Sequence, residues 1–349
     1  MYLGFYNFYK YCNRNRVLTD PNGPPGSGDE TMYGFVTAAQ RLQALGHQVA
    51  TLDMDDLEKF DVGLFFDHPT FIDPIFRRFR RLSGKKLYLF LMENEANRPD
   101  QYWRFQHRPF TKVFTWHTDW IDHQKYFPFA YSMRIPTPFT LDVTGKSKFC
   151  VTIASQKYNP HPKQLYRERL GVVRWFEREH PGEFDLYGQA WDRRYFKGGL
   201  ARLNLLLEKI YRKYPNSFRA RLFPSWQGRV PNKHAVMRRY KFALCYENAV
   251  FPGYVSEKIF DAFFAGCVPV YLGAPDVTDF IPPETFIDRR RFQSHAEVYQ
   301  YMKTMPDAEY QAYLTAIETF VRGEKIKVFS GERFANIIIQ EIAGGRLAA

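Results

Sequence analysis

The chain has 349 residues, of which 45% are hydrophobic and 25% are charged, and its formal net charge is +12. This length predicts two globular domains, and the composition excludes a disordered or fibrous chain. No apolar run approaches the roughly 18 residues needed to span a bilayer, so we expect a cytoplasmic protein with at most peripheral membrane contact.

The cysteines and the basic residues narrow the function classes further. Cys12, Cys150, Cys245 and Cys267 show no C-x-x-C spacing, so we expect free, mostly buried thiols and no zinc site. The basic residues form scattered clusters without a zinc-finger or RNA-binding motif, so nucleic acid is not the expected partner. A positive charge equally attracts a nucleotide diphosphate, and a non-catalytic, polyanion-binding protein stays as an alternative.

The first half of the chain alternates strand and helix patterns. Strands are expected in the short apolar runs MYLGFYNFY, HQVATLDM, FDVGLFFDH, KLYLFLM and KVFTWHTDW. Helices are expected in MYGFVTAAQRLQAL and PIFRRFRRL, which Gly46 and Gly84 end. The stretch TDPNGPPGSGDET is typical of a loop. This order predicts an open parallel sheet with helices on both faces.

The pattern restarts at Lys148, after a Pro-, Thr- and Gly-rich seam at residues 135–148. Strands are expected in FCVTIAS, EFDLYGQAW, YKFALCYEN and CVPVYLGAP, and helices in QLYRERLGVVRWFEREH, SEKIFDAFFAG, HAEVYQYMKTM and DAEYQAYLTAIETFVRG. Residues 192–226 match no pattern beyond a helical insertion. We therefore predict two Rossmann-like domains, 1–146 and 147–349, with a terminal helix in GERFANIIIQEIAGG that packs back on the first domain.

Two glutamates follow a buried strand in the first half. In open α/β sheets, ligands bind beyond the carboxyl ends of the strands, where MENEANRPD places Glu93 and Glu95. A partly desolvated carboxylate at this position has the raised pKa that a general base needs. A solvated acidic loop is the alternative interpretation.

The stretch GYVSEKIFDAFFAG places Ser256 at the expected N-cap of a helix that Gly266 ends. Glu257 in the first turn complements the helix dipole, but Lys258 does not. A bound phosphate, shared between the ammonium group and backbone N–H groups, would explain Lys258, and an exposed surface lysine is the alternative. The buried face is expected to consist of Ile259, Phe260, Phe263 and Phe264.

Other polar candidates are less specific. Arg167 and Arg169, early in the helix after FCVTIAS, have the side chain that best matches phosphate oxygens, although an exposed helix face explains them equally well. The DMDD stretch at residues 53–56 is expected to be a solvated helix start and not a metal site. His117, in TWHTDW, is expected to be structural.

The block YKFALCYENAVFPGYVSEKIFDAFFAGCVPVYLGAPDVTDFIPPETFID, residues 240–288, resembles the signature of the α-1,3/4-fucosyltransferases, glycosyltransferase family 10. The family pattern is approximately K-F-x-L-x-F-E-N, a short gap, Y-V/I-T-E-K, and then V-P-V-x-x-G-x-P. Tyr246 and Ser256 depart from it, standing where Phe and Thr are usual. Upstream, VPNKHAVMRRYKF, MENE and RERLGVVRWF…FDLYG resemble further segments of the family.

The resemblance implies a GT-B fold, with the acceptor and the base on the first domain and GDP-β-L-fucose on the second. It implies inverting transfer of fucose to a GlcNAc-containing, LacNAc-type oligosaccharide, with no obligate metal and at most stimulation by Mn²⁺ or Mg²⁺. A different GDP- or UDP-sugar donor is the alternative. By position, the implied site residues are Glu93 as the base (Glu95 as the alternative), Arg169 and Lys258 as phosphate ligands, Glu257 as a ribose partner, and Asn248, Tyr254 and Lys233 as further donor-site residues.

Overall fold

The computed structural model describes residues 1–22, 30–196, 200, 203–214, 220, 222–230 and 232–344. The predicted loop TDPNGPPGSGDET, the segment 192–226, the VPNKH lead-in and the terminal segment therefore lie partly outside the described residues.

The first sheet has six parallel strands in the order β2-β1-β3-β4-β5-β6. These strands are β1 (Tyr2–Asn7), β2 (Gln48–Thr51), β3 (Val62–Phe66), β4 (Lys86–Leu91), β5 (Lys112–Thr115) and β6 (Tyr126–Pro128). The helices of this half are α1 (Arg16–Thr19), α2 (Tyr33–Ala44) and α3 (Pro74–Phe79). Strand β3 is buried along its whole length, as a continuous apolar run predicts for a central parallel strand.

The second sheet has five parallel strands in the order β11-β10-β9-β7-β8. These strands are β7 (Lys148–Ile153), β8 (Phe184–Tyr187), β9 (Tyr240–Tyr246), β10 (Val268–Leu272) and β11 (Ile287–Asp288). The helices are α4 (Tyr166–Glu179), α5 (Asn204–Lys213), α6 (Lys233–Met237), α7 (Glu257–Phe264), α8 (His295–Thr304), α9 (Asp307–Arg322) and α10 (Gly331–Ile338).

The predicted architecture of two Rossmann-like parallel sheets is confirmed. The sequence pattern missed β6 and β11, because strands of three and two residues are too short to show a period. The strand predicted in KVFTWHTDW ends at Thr115, and a 3₁₀ turn follows. All four cysteines are buried free thiols, as predicted. Among the described residues, no helix combines the length and apolarity that crossing a bilayer requires.

Helix α10 lies against the first half of the chain, although it follows the second sheet in sequence. Phe334 packs on Phe35 with ring centroids 5.0 Å apart, and it belongs to the core of the first sheet. Tyr33 of α2 donates a hydrogen bond of 2.7 Å to Glu332. The chain therefore crosses twice between the two sheets.

The two sheets face each other at their carboxyl ends. Thr118, after β5, donates to Asp276, after β10, at 2.9 Å. The same carboxylate accepts from the backbone N–H of Gly253 at 2.7 Å. Phe251 and Tyr254 from the loop after β9 are buried in the core of the first sheet. The segment between β9 and α7 is thus held by both halves.

Gly253 is required where this segment touches the first half. Its φ of +75° is in the left-handed region, and a Cβ built there would lie 2.0 Å from the carbonyl oxygen of Trp116. Neither the backbone conformation nor the contact tolerates a side chain without movement of one half against the other.

We predict that Gly253→Ala destabilises the protein more than Gly84→Ala does. Gly84 has nearly the same φ, +74°, but a Cβ there meets nothing within 4 Å, so it controls for backbone strain alone. Backbone strain should cost about 1 kcal/mol in both variants, and the collision with Trp116 should add roughly 1–3 kcal/mol at Gly253. Urea unfolding measures both, and equal losses would contradict the close approach.

Candidate functional site

Glu93 lies directly after β4, in a loop that neighbouring residues hold on both sides. The buried carboxylate of Asp67, which follows β3, accepts from the backbone N–H groups of Met92 at 2.7 Å and Glu93 at 2.8 Å. The carbonyl oxygen of Glu93 accepts from Gln101 and from the Tyr102 hydroxyl, each at 2.8 Å. The backbone at Glu93 is therefore fixed at the carboxyl edge of the sheet.

The side chain of Glu93 is connected to the second half through one amide. Its Oε2 accepts from Asn97 Nδ2 at 2.7 Å. Asn97 Oδ1 in turn accepts from the hydroxyl of Tyr166, on α4, at 3.2 Å and from Asn159 Nδ2 at 3.3 Å. Asn159 Nδ2 also donates to the Ala96 carbonyl at 2.6 Å. This network links the candidate base to the loop and helix that follow β7.

Glu95 lies in a different environment. Its carboxylate is partly buried and has no hydrogen-bond partner among the residues that the structure describes. Its charge acts on His117, whose pKa is nevertheless lowered because the ring is buried. That ring packs between Trp116 and Trp120, with centroid distances of 5.6 Å to each. The structure therefore separates the two glutamates that the sequence could not distinguish.

Arg169 is 3% exposed, at the point where β7 and β9 end. Its Nη2 donates to the carbonyl oxygens of Tyr246 at 2.7 Å and Glu247 at 2.9 Å, and to Asn248 Oδ1 at 3.2 Å. Burial lowers its pKa from the ordinary value of an arginine. The side chain fixes the loop after β9 by these bonds.

In the part of the chain that the structure describes, Arg169 has no ion-pair partner at contact distance, although the charges of Glu247 and Glu257 act on it from farther away. Within the described ranges, no carboxylate lies at ion-pair distance from its guanidinium, and its Nε is buried without a hydrogen-bond partner. A buried cation is costly unless an anion is near. Arg167, by contrast, is exposed on the outer face of α4. The geometry therefore favours Arg169 over Arg167 as the residue that meets an anion.

Asn248 and Tyr254 extend the Arg169 network toward the first half. Asn248 Nδ2 donates to the Tyr254 hydroxyl at 3.3 Å. The Tyr254 ring lies 4.8 Å from Trp116 and 5.7 Å from Tyr131, and burial raises its pKa well above the ordinary value. Tyr254 is thus a protonated, buried side chain at the junction of the two halves.

Lys258 has a partner that the sequence analysis did not identify. Its ammonium group lies 3.1 Å from the carboxylate of Glu247, which is 0% exposed, and 3.5 Å from that of Glu257. Burial lowers the pKa of Lys258, but these two carboxylates outweigh burial and raise it above its ordinary value. Lys258 is therefore not the exposed surface lysine given as the alternative, and its position in the first turn of α7 does not by itself require a bound phosphate.

Ser256 is the N-cap residue of α7, as predicted, but its side chain makes no capping bond to the helix. Its N–H and hydroxyl instead donate to Glu247 at 2.8 and 2.7 Å. An unpaired buried carboxylate is costly, so the two bonds from Ser256 stabilise Glu247. Gly266 ends the helix at φ +65°, as predicted.

A small recess lies between the ends of β7 and β9 and the first turns of α6 and α7. Glu257, Lys258, Lys233 and Asp261 line it. Partial burial raises the pKa of Glu257, but Lys258 and Lys233 outweigh it and lower this pKa to about 2. The side chain of Glu257 is 49% exposed, so an ionised acceptor is open to a ligand at the mouth of the recess.

The structure groups the predicted site residues into three sets. Arg169, Asn248 and Tyr254 form one hydrogen-bonded network, and Glu257, Lys258 and Lys233 line one recess. Glu93 faces them from the other half through Asn97. The predicted buried face of α7 is correct for Ile259, Phe260 and Phe263, while Phe264 is only partly buried. The sequence analysis missed Asp67, Asn97, Tyr166 and Glu247.

Known proteins match the second half most clearly. Residues 208–328 match the family model for glycosyltransferase family 10 (fucosyltransferase) C-term. The alpha-(1,4)-fucosyltransferase of Arabidopsis thaliana is 42% identical over 85 residues, 23% of this chain and 21% of that protein. GDP-fucose protein O-fucosyltransferase 3 of Gallus gallus is 37% identical over 86 residues, 24% of this chain and 18% of that protein. These alignments span about a fifth of the relatives' length.

The fold comparison covers the whole chain. A crystal structure of an alpha1,3-fucosyltransferase with GDP-fucose superimposes with a TM-score of 0.55 at 16% identity, covering 100% of this chain and 91% of that chain. Such a low identity shows the fold alone, and it confirms the predicted GT-B arrangement. The resemblance to family 10 is confirmed over residues 208–328.

The buried carboxylate beside Glu93 predicts a pH dependence of stability. Burial and the charge of Glu93 raise the pKa of Asp67 to about 7, from about 4 in an unfolded chain. The folded protein therefore binds this proton more tightly, and the contribution of Asp67 to stability falls as the pH rises from 4 to 7. Asp67→Asn removes this dependence but keeps an oxygen that accepts from both N–H groups.

We predict that the free energy of unfolding of Asp67→Asn, relative to the unmodified protein, increases by up to about 4 kcal/mol between pH 4 and 7. Urea unfolding at a series of pH values measures it. Asp73→Asn is the matched control. Burial raises the pKa of Asp73, but Lys10 and the Phe76 N–H outweigh burial and lower it, so its titration lies below this window. A constant difference for Asp67→Asn would contradict the prediction.

Proposed function

We propose that this chain is an inverting fucosyltransferase, which moves L-fucose from GDP-β-L-fucose to a hydroxyl group of a GlcNAc-containing glycan and releases GDP. The observation that carries the proposal is the match of residues 208–328 to the fucosyltransferase family model. That segment includes the recess at the start of α7 and the network around Asn248 and Tyr254.

The second half has the charges that a nucleotide diphosphate needs. Arg169 has no carboxylate partner among the described residues, and an anionic diphosphate would supply the missing charge. Lys258 and Lys233 line the adjacent recess, where Glu257 is ionised and able to accept from ribose hydroxyl groups. As the bond to fucose breaks, GDP gains negative charge, and fixed cations stabilise that charge without reorganisation.

The first half supplies the proposed base. Inverting transfer requires one base that removes the proton of the acceptor hydroxyl, while the sugar passes through an oxocarbenium-like transition state. Glu93 is suited to this role, because its backbone is fixed by Asp67 and Tyr102 and its Oε2 is directed by Asn97. Glu95 has no comparable support among the described residues.

Binding of the diphosphate and removal of the acceptor proton are assigned to different halves of the chain. This arrangement favours transfer over hydrolysis. A donor bound against the second sheet would meet the base only where the carboxyl ends of the two sheets approach each other. A closed junction of this kind limits the access of water to the activated sugar. The fixed cations can stabilise the leaving group, so we expect no obligate metal and at most stimulation by Mn²⁺ or Mg²⁺.

We predict that, in a screen of nucleotide sugars, the protein releases nucleotide from GDP-fucose with N-acetyllactosamine as acceptor, and at least tenfold more slowly from UDP-sugars and other GDP-sugars. Linkage analysis of the product should give an α-1,3-fucosyl bond, and EDTA should not abolish transfer. Preference for another donor would move the function to a different transferase. Salt-dependent retention on a polyanion without transfer to any acceptor would overturn catalysis altogether.

We predict that Glu93→Gln lowers kcat by at least about a hundredfold, since general base catalysis contributes roughly 10²–10⁴-fold. Glu95→Gln is the matched control, and its kcat should fall by less than about fivefold. GDP binding, measured by calorimetry, should be unchanged in both variants because the donor residues lie on the other half. If Glu95→Gln were the inactive variant, the assignment of the base would be reversed.

A further inference from the structure

The side-chain amide of Asn97 touches both halves of the chain at the proposed catalytic junction. Its Nδ2 donates to Glu93 Oε2 at 2.7 Å, while its Oδ1 accepts from Tyr166 at 3.2 Å and from Asn159 at 3.3 Å. The first partner lies on the loop after β4, and the other two belong to the segment after β7. No other side chain in the described part of the chain bonds to the carboxylate of Glu93.

The orientation of this amide is determined by its neighbours. The Asn159 NH₂ group can only donate and the Glu93 carboxylate can only accept, so the oxygen of Asn97 faces the second half, where it also accepts from the Tyr166 hydroxyl. The NH₂ group then faces the carboxylate of Glu93. If the amide turned over, its oxygen would oppose the negative charge of Glu93 and its NH₂ would oppose the NH₂ of Asn159. Asn159 and Glu93 together therefore fix which way Asn97 points.

We propose that Asn97 is a positioning residue that aims Glu93 only when the second half is docked, so that activation of the acceptor depends on closure of the junction. The proposal rests on the proposed function, because it takes Glu93 as the base. With the two halves apart, Asn97 loses both hydrogen bonds at its Oδ1, and its side chain keeps only the bond to Glu93 on the same loop.

The residues of the second half that contact Asn97 are also connected to the proposed donor site. Tyr166 is the first residue of α4, and its ring lies 5.2 Å from the guanidinium carbon of Arg169. Arg169 is also bonded to the loop after β9, which carries Asn248. An anion bound at Arg169 would therefore act on the helix turn that presents the Tyr166 hydroxyl. This places donor binding and base orientation in one connected set of contacts.

If the proposal is correct, kcat depends on Asn97 and Tyr166 although neither side chain contacts a substrate. A base that is misdirected by about 1 Å loses up to two orders of magnitude in rate. Donor affinity should change little, because Asn97 and the Tyr166 hydroxyl are not among the groups proposed to bind GDP. The separation of kcat from KM distinguishes positioning from a general loss of structure.

The test compares Asn97→Ala and Tyr166→Phe in the full chain, with GDP-fucose and N-acetyllactosamine. Asn97→Ala should lower kcat roughly ten- to a hundredfold, and Tyr166→Phe about three- to tenfold, with the KM for GDP-fucose within about threefold of normal. The double variant should be no slower than Asn97→Ala, because both changes act through one chain of contacts.

Asn336→Ala and Tyr33→Phe are the matched controls. Asn336 accepts from Arg41 and Tyr33 donates to Glu332, so both also join the first half to a later segment, but at α10 and away from the base. They should leave kcat and KM within about twofold of the unmodified protein. Amide hydrogen exchange over residues 93–97 should be faster in Tyr166→Phe than in Tyr33→Phe.

The outcomes separate the two proposals. An active protein in which Tyr166→Phe changes neither kcat nor exchange at residues 93–97 would overturn the role of Asn97 and leave the proposed function standing. Should Asn97→Ala fail to fold, Tyr166→Phe still decides between the results, because it removes only a hydroxyl group. An unmodified protein that transfers no fucose would overturn the proposed function and this inference with it.

Discussion

The burial of one arginine organises the junction on which the proposed site depends. Arg169 gives its N–H groups to carbonyl oxygens at the end of β9 and to Asn248, and so fixes the loop that reaches into the first half. It also packs beside Tyr166, whose hydroxyl bonds to Asn97 across the junction. Carbonyl oxygens and Asn248 satisfy its Nη groups but not its Nε, and no carboxylate among the described residues lies at ion-pair distance from it. The junction is therefore preorganised for an anion.

At the start of α7, a buried carboxylate and not the helix dipole determines the arrangement of charges. Lysine in the first turn of a helix opposes the dipole, but the penalty is only tenths of a kcal/mol, whereas an unpaired buried carboxylate costs several times as much. Glu247 therefore decides the local arrangement, since its burial requires Lys258 and both donors of Ser256. Glu257 remains outside this set and half exposed, and it is the carboxylate of the pair that a ligand can reach.

The sheets were predictable from the sequence because their signals are local. Continuous apolar runs such as that of β3 mark strands, and Gly46 marks the end of α2, without reference to the rest of the chain, whereas α3 ends at Phe79, before the predicted stop at Gly84. The pairing of side chains is not local. Asn97 and Tyr166 are 69 positions apart, and no periodicity relates them. Asp67 could have been predicted as a residue near the site, because it follows a buried strand just as Glu93 does. Side chains beyond the carboxyl ends of parallel strands lie at the same edge of the sheet.

The distribution of charge between the two halves matches the proposed reaction. Glu93 and Glu95 carry negative charge on the first half at the junction, while Arg169, Lys258 and Lys233 carry positive charge on the second half, the two lysines beside carboxylates of their own. In the transition state, the fucose ring carries developing positive charge and GDP carries increasing negative charge. A sugar held between the halves, with its diphosphate toward the second, has both charges facing groups of opposite sign. The reverse orientation would place GDP against Glu93 and Glu95, so the same field that favours transfer also selects the direction in which the donor binds.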